Sequence, residues 1–177
     1  MKKFPYLIFL ATITSAPYSL LADDSVLKQN EHVFLRFNEG TQYTASEGMN
    51  NQYLKLTSEQ TSGAFTLNED NMQPGIVIPY HKHHFHDETF IVTRGTIHYI
   101  VEGEVYEGNV GDVIFIPRHT AHKAEVRGDE PGSHIMVYNP GGYDLMKEAG
   151  AKLTPEQRED KEFMARFTLE SDFHAVE

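Results

Sequence analysis

Short apolar runs separated by turn signals dominate the chain between about residues 31 and 140. The runs are rich in β-branched and aromatic residues, which favour strands. Glycine-containing pairs such as Pro74-Gly75, Arg94-Gly95 and Gly111-Asp112 punctuate them, as is typical of tight turns. Many short strands with regular turns predict an all-β sandwich or barrel, mostly antiparallel. The predicted strands cover residues 32–35, 53–56, 64–67, 76–78, 89–93, 96–101, 113–116 and 134–138.

Helical patterns replace strand patterns after the segment Asn139-Pro140-Gly141-Gly142. Residues 143–149 predict a short helix that ends at Gly150, since glycine commonly follows the last helical turn. Thr154-Pro155-Glu156-Gln157 predicts the start of a second helix, because threonine caps, proline suits the first turn and glutamine completes a capping box. An apolar stripe within residues 163–167 is expected to pack against the barrel.

The first 22 residues read as a targeting segment rather than as part of the fold. Two lysines precede an apolar run over residues 4–13, and Leu20-Leu21-Ala22 leads into two aspartates. This order predicts a secretory signal peptide cleaved after Ala22. An uncleaved membrane anchor is the alternative, but prolines interrupt the run and it is short for a span. Residues 23–177 are therefore predicted to form a single domain, with a core at about 64–140 and helices at about 143–169.

The charge balance narrows the range of partners. The whole chain has a formal net charge of −11, and residues 23–177 alone carry 13 basic and 26 acidic side chains. Such an acidic protein is expected to repel nucleic acid and anionic membranes. It has no cysteine, so it has no thiol for redox exchange or for soft metals. The expectation is an exported protein, periplasmic or secreted, that does not bind a membrane once the signal peptide is removed.

The stretch HKHHFHDE, residues 81–88, holds four of the ten histidines and ends in two carboxylates. His81 and His83 are two positions apart, so on one strand they point the same way and can chelate one ion. His84, His86 and Glu88 also alternate and form a rival set on a straight strand. A polar surface run or a loose zinc-scavenging tract is the plain alternative.

The spacing of glycines and histidines around this stretch matches two known motifs. Gly75, His81, His83, Glu88 and Gly95 have the spacing of the first motif, and Gly111, Pro117 and His122 that of the second. The chain thereby resembles the cupin superfamily, and in particular its small single-domain, quercetin-dioxygenase-like members. The resemblance implies an all-β, double-stranded β-helix (jelly-roll) barrel with short C-terminal helices.

Two positions depart from the second motif. His119 stands where cupins usually have glycine, and Val126 where they usually have asparagine. Neither is a ligand position in the family. His119 is expected either to adopt a backbone conformation that favours glycine or to sit in a slightly altered turn.

The resemblance also implies a ligand set and a base. The metal ligands would be His81, His83, Glu88 and His122, holding one divalent transition metal ion per chain (Fe, Mn, Ni, Co, Cu or Zn). Glu88 would be the catalytic residue as well, taking a proton from a bound substrate hydroxyl. His84 and His86 are interpreted as rim or surface residues, of which one can still serve as a hydrogen-bonding support for a ligand. Structural or solvated roles are expected for His32, His98, His134 and His174.

Three functions follow as hypotheses. The first is a metal-dependent dioxygenase acting on a small enolic or phenolic, quercetin-like substrate. The second is an isomerase or lyase with the same ligands, and the third is a non-catalytic module that binds a small ligand or sequesters a metal. Small cupins commonly pair through sheet edges, so a homodimer is a further expectation. Several apolar residues near the motifs either line a substrate pocket or form ordinary barrel core. They are Tyr80, Phe90, Val92, Ile97, Tyr99, Phe115 and Met136.

Overall fold

The computed structural model of the chain describes residues 32–45 and 48–176, so the predicted signal peptide at residues 1–22 lies outside the described part. Two antiparallel sheets form the main body of that part, which confirms the all-β prediction. A six-stranded sheet has the order β1-β2-β3-β10-β5-β8, and a five-stranded sheet has the order β11-β4-β9-β6-β7. Within the described ranges, no helix has the length and apolar content required to span a bilayer.

The strands are short and follow the chain in quick succession. Their bounds are β1 Thr41–Ala45, β2 Asn50–Leu56, β3 Thr66–Met72, β4 Val77–Lys82, β5 Asp87–Arg94, β6 Ile97–Val101, β7 Glu104–Gly108, β8 Val113–Ile116, β9 His122–Glu125, β10 Gly132–Asn139 and β11 His174–Ala175. The strand predicted at residues 32–35 is wrong, because that segment is exposed and has no strand partner. Strands β1, β7, β9 and β11 were not predicted, since their sequences are mainly polar or very short.

The hydrophobic core lies between the two sheets. Alternation along the strands directs one face inward, so that Met72 and Ile97 are completely buried. Burial of such side chains contributes about 1.5–3 kcal/mol each and is the main force holding the sheets together. The core cluster is formed by Met72, Ile76, Phe90, Val92, Ile97, Tyr99, Ile116, Ala124, Val126, Met136 and Tyr138.

Three short helices follow the last long strand: α1 Tyr143–Ala151, α2 Pro155–Glu159 and α3 Lys161–Glu170. Gly150 lies inside α1 instead of ending it. The capping box is present, since Thr154 accepts from the Gln157 backbone N–H and the Gln157 side chain accepts from the Thr154 backbone N–H. Helix α2, which this box begins, ends after five residues, and the side chain of Asp160 then caps the start of α3. The stripe within residues 163–167 is only half-buried, so it is not core.

A buried carboxylate fastens α1 to the barrel. Asp144 Oδ1 accepts a 2.8 Å hydrogen bond from the Thr66 hydroxyl on β3. Its Oδ2 accepts from the backbone N–H (3.1 Å) and the hydroxyl (3.0 Å) of Ser58. The residue is 5% exposed, so each of these bonds forms away from water.

We expect Asp144→Ala to lower the free energy of unfolding by about 2–3 kcal/mol, because it leaves the donors of Thr66 and Ser58 without an acceptor. Chemical denaturation of the variant beside wild type measures this. Glu148→Ala, on the exposed side of the same helix, is the control and should leave stability nearly unchanged. Equal losses in both variants would contradict a specific anchoring role for Asp144.

Candidate metal centre

The structure brings His81, His83, Glu88 and His122 together in the barrel interior. His81 lies near the end of β4, His83 just after it, Glu88 on β5 and His122 at the start of β9. One ligand atom from each residue lies within 4.8 Å of the others, and all four side chains are buried. These are the residues that the sequence predicted as ligands, and their geometry could hold a metal ion.

Strand pairing explains how residues so far apart in sequence meet. His81 and His122 are directly opposite each other in the β4–β9 ladder, and their ring centroids are 4.4 Å apart. Glu88 belongs to the other sheet, so its carboxylate closes the group from across the barrel. The turn at Gly95 (φ 63°) needs glycine, because a Cβ there would lie 2.3 Å from the Pro131 carbonyl oxygen.

Each of the three histidines is oriented by a backbone carbonyl. The Nδ1 atoms lie 2.7 Å from the Pro79 oxygen for His81, 2.5 Å from the Asp172 oxygen for His83, and 3.0 Å from the Thr120 oxygen for His122. A carbonyl can only accept, so each Nδ1 carries a hydrogen. In the neutral form of each ring, which is the form that binds a metal, Nε2 then presents a lone pair. Protein metal sites orient their histidine ligands by the same device.

The Nε2 atoms converge on Glu88. Its Oε2 lies 3.0 Å from His122 Nε2 and 3.2 Å from His83 Nε2. His83 Nε2 is fully buried, and its 3.2 Å contact with Glu88 Oε2 does not have the geometry of a hydrogen bond. A buried lone pair without a partner is costly, and a cation in this position would satisfy it. The donor set therefore fits a divalent transition metal ion.

The electrostatics of the group favour an ionised carboxylate. Burial acts to raise the pKa of Glu88, but hydrogen bonds and charge interactions with His122 and His83 hold it well below its usual range. Burial and the neighbouring His122 lower the pKa of His81 to about 3, so this imidazole is neutral. An ionised carboxylate and a neutral imidazole are the ligand forms that a metal requires.

Neither departure from the expected motif disturbs the site. His119 adopts a left-handed backbone with φ 72°, the conformation that the usual glycine would favour. Its backbone N–H donates to the His83 carbonyl at 2.6 Å and so helps to hold the loop in place. Val126 is 2% exposed and belongs to the core.

Comparison with known proteins agrees with this geometry. Residues 68–138 match the family model described as "Cupin domain". Residues 68–138 therefore form a cupin domain. Among curated proteins, none matches the sequence.

Solved structures show the same fold at low sequence identity. KdgF from Halomonas sp. is 20% identical with a TM-score of 0.56, and the match covers 65% of this chain and 99% of that one. A predicted oxalate decarboxylase from Thermotoga maritima is 21% identical with a TM-score of 0.56, covering 61% and 99%. An RmlC-like cupin from Shewanella frigidimarina is 19% identical with a TM-score of 0.53, covering 66% and 98%. These similarities establish the cupin barrel, not the reaction.

The remaining histidines of the stretch have distinct positions in this cupin. The rival set is not on one strand, because β4 ends at Lys82 and β5 begins at Asp87. His84 is half-buried and stacks on His174, with ring centroids 3.7 Å apart. The interpretation of His86 as a rim residue is wrong, since it is 4% exposed and its Nδ1 lies 2.6 Å from Asp172 Oδ2.

Asp172 is the functional residue that sequence reasoning missed. Its carboxylate accepts hydrogen bonds from the backbone N–H groups of His84 (2.6 Å) and Phe85 (3.1 Å), and from His86. Its own carbonyl accepts the Nδ1–H of His83. Burial opposes its ionisation, but the hydrogen bonds from His86 and the loop backbone lower the pKa of Asp172 to about 2. No motif marks this residue, which follows α3 as a lone aspartate.

Asp172 and the residues after it, 172–175, together hold the candidate ligands from the C-terminal side, and we call this segment the clamp. Phe173 stacks on the His81 ring at 4.1 Å with an angle of 13° between the planes. Strand β11 then pairs with β4, where Ala175 is opposite His81. The C-terminal residues 172–175 thus contact two of the three candidate histidine ligands directly, His83 through Asp172 and His81 through Phe173.

A small cavity of about 30 Å³ borders the candidate metal centre. Of the predicted pocket residues, Phe90 and Met136 line it, together with Asp70 and His134, which were not assigned to a site. Val92, Tyr99 and Phe115 instead border a separate, open surface pocket, and Ile97 is core. Tyr80 lines neither pocket and is half-buried.

A wider groove of about 640 Å³ lies outside this cavity, between the six-stranded sheet, β4 and the helices. Four residues line both spaces: Gln52, Ile78, Tyr143 and Phe173. They separate the groove from the interior, so the groove is next to the cavity that borders the candidate metal centre.

We expect Asp172→Asn to weaken metal binding about tenfold to a hundredfold, because it removes the charged acceptor that holds the loop carrying His83. Asparagine tolerates the left-handed backbone at this position (φ 55°), so the substitution tests the carboxylate and not the turn. Titration of metal-free protein with Co²⁺, followed by absorbance, measures the change.

Glu170→Gln is the matched control, since Glu170 is exposed at the end of α3. It should bind Co²⁺ like wild type. An unchanged affinity in Asp172→Asn would mean that the clamp does not position His83.

Proposed function

We propose that this cupin is a metal-dependent enzyme that acts on a small molecule carrying an enolic or phenolic hydroxyl, with dioxygenase chemistry as the first reaction to test. The observation that carries the proposal is the convergence of three carbonyl-oriented Nε2 atoms and the Glu88 carboxylate beside a cavity. A structural ion would need no cavity next to it, whereas catalysis needs space for a substrate.

The residues divide the work as follows. His81, His83, His122 and Glu88 would hold the ion. The bound ion would supply Lewis acidity and, for a redox-active metal, dioxygen chemistry. Glu88 would also accept the proton of the substrate hydroxyl. Its low pKa makes it a better ligand than base, so proton transfer to Glu88 would require its contacts with His83 and His122 to loosen.

The size of the cavity bears on the substrate. A space of about 30 Å³ is far below the roughly 300–1,000 Å³ typical of ligand pockets. A molecule the size of a flavonol would have to displace the residues between cavity and groove, whereas a small acid or enol needs much less rearrangement. The polar lining by Gln52, Asp70 and His134 favours the isomerase or lyase reading as second candidate, since such reactions handle small polar substrates.

Export remains a proposal based on residues 1–22, whose charge and apolar pattern are typical of a signal peptide. It matters for the metal, because the ions available in an exported compartment compete for the site as much as its ligands select among them.

Metal content tests the ligand set. We expect the protein, purified without tag or chelator, to contain about one ion per chain. His81→Ala should lose most of it, since one of few ligands is removed from a buried site. His84→Ala is the matched control, a neighbouring histidine outside the group, and should retain the ion. Equal losses in the two variants would overturn the proposed ligand set.

Oxygen consumption tests the reaction. We expect uptake that depends on an enolic or phenolic compound and disappears in His81→Ala, measured with an oxygen electrode over a panel of such compounds. Turnover without oxygen uptake would favour an isomerase or lyase. A metal-loaded protein that turns over nothing would favour the binding module, most clearly if the ion is zinc.

A further inference from the structure

Strand β3 presents an unusually polar face to the barrel interior. Its inward residues Thr66, Asn68 and Asp70 are all at most 2% exposed. Thr66 is satisfied by Asp144, as described above. In contrast, Asn68 Nδ2 and Asp70 Oδ1 make no hydrogen bond of good geometry among the described residues, although the Asn50 side chain lies close to the Asp70 carboxylate. Buried polar atoms of this kind are rare in native proteins, and each one calls for an explanation.

A histidine on the next strand adds to this polar face. His134 lies opposite Asp70 in the β3–β10 ladder and is fully buried, and its Nε2 also lacks a partner. Its Nδ1 lies 2.9 Å from the Tyr99 hydroxyl. Burial lowers the pKa of His134 to about 4 and raises that of Tyr99, so both groups are neutral. In the tautomer in which Tyr99 donates to Nδ1, the hydrogen of His134 is on Nε2.

These two residues face the candidate metal centre across the same void. Asp70 and His134 line the 30 Å³ cavity together with His81, Glu88 and His122. The wall formed by Asp70 and His134 thus offers an acceptor, Asp70 Oδ1, beside a donor, His134 Nε2–H. A hydroxyl group can donate to the first and accept from the second, whereas a methyl group or a carboxylate cannot do both.

A chain of polar side chains links the wall to the outside. Gln52 Nε2 donates to Asp70 Oδ2 at 2.7 Å, and the Gln52 carbonyl accepts from Lys147. Gln52 and Lys147 both line the outer groove, so these side chains connect the wall to the groove. Gln52 thus occupies one carboxylate oxygen of Asp70, and the other oxygen, Oδ1, makes no hydrogen bond of good geometry.

We propose that Asp70 and His134 form a hydroxyl-binding wall that selects substrates with a hydroxyl group at the end remote from the metal centre. The inference rests on the proposed function and names its substrate class: small hydroxylated acids or enols, rather than unsubstituted ones. Positions 134 and 138 of β10, which flank the cavity at the wall and beside Glu88, are about 13 Å apart along the strand. The side chains project into a cavity of only about 30 Å³ between these positions, so the substrate is small, with metal-binding and hydroxyl ends on one skeleton.

Matched ligand pairs test the wall without knowledge of the natural substrate. Metal-loaded protein is titrated calorimetrically with propionate and 3-hydroxypropionate, and with butyrate and 4-hydroxybutyrate, which differ by a single hydroxyl at the end remote from the carboxylate. We expect wild type to prefer the hydroxylated member of at least one pair about tenfold, as one hydrogen bond to a charged group allows. Asp70→Asn should reduce the preference to about twofold or less, because an amide replaces the charged acceptor.

Glu69→Gln is the control. Glu69 is the next residue of β3, equally buried, but it pairs with Lys55 and lines no described cavity near the metal centre. It should keep the wild-type preference. The lack of a hydroxyl preference in wild type for both pairs, or its persistence in Asp70→Asn, would overturn the proposal.

Two further readouts separate the possible failures. Metal content and melting temperature of Asp70→Asn at pH 8 should equal or exceed those of wild type, because the substitution removes a buried charge and no ligand. A lower melting temperature would indicate a structural role for Asp70 instead. Repeating the titrations on metal-free protein distinguishes the wall from the metal centre: a hydroxyl preference that survives there supports the wall even if the proposed metal-dependent function fails.

Discussion

The buried Glu88 carboxylate is the constraint on which the interior of this cupin depends. A carboxylate removed from water is strongly destabilising unless it is paired and hydrogen-bonded. Here His83 and His122 supply that pairing at 3.2 and 3.0 Å, one from the loop after β4 and one from β9. The carboxylate itself comes from the opposite sheet. The two sheets must therefore be positioned so that both histidines reach Glu88, because the buried charge is not tolerated otherwise. The geometry of the site thus depends on the packing of the two sheets.

The histidines in turn depend on supports from other parts of the chain. Each ring is fixed by a carbonyl at its Nδ1, and for His83 that carbonyl belongs to Asp172, 89 residues away in the chain. The carboxylate of Asp172 simultaneously holds the loop of residues 84–86, and Phe173 covers His81. The C-terminal segment thus contacts the candidate metal centre, although it follows the three helices. A site built in this way is rigid because its supports come from separate parts of the chain.

Local pattern predicted what is local in this molecule. Strands β5, β6 and β8 carry β-branched and aromatic residues and were found, whereas β9, with the sequence His122-Lys123-Ala124-Glu125, was missed because its letters are polar although three of them are buried. The candidate ligands were identifiable because the spacing of histidines, Glu88 and glycines resembles the cupin motifs, which imply this ligand set. Asp172 was not, because its role arises from a long-range contact made by a left-handed turn. His86 was misplaced for the same reason, since its buried position depends on Asp172.

Polar residues on an interior face carry information that a hydrophobic pattern conceals. The alternation along Thr66-Leu67-Asn68-Glu69-Asp70 reads as a strand with its apolar residue inward, yet Thr66, Asn68 and Asp70 are the residues that face the interior, and Leu67 is half-buried. A fold that needed only stability would place aliphatic side chains there, because unsatisfied buried polar atoms weaken the native state by about 1–3 kcal/mol each. Such groups persist where something other than stability uses them. Asp70 lines the same cavity as His81, His122 and Glu88, which gives that use a chemical form: one end of the cavity suited to a cation, the other to a hydroxyl.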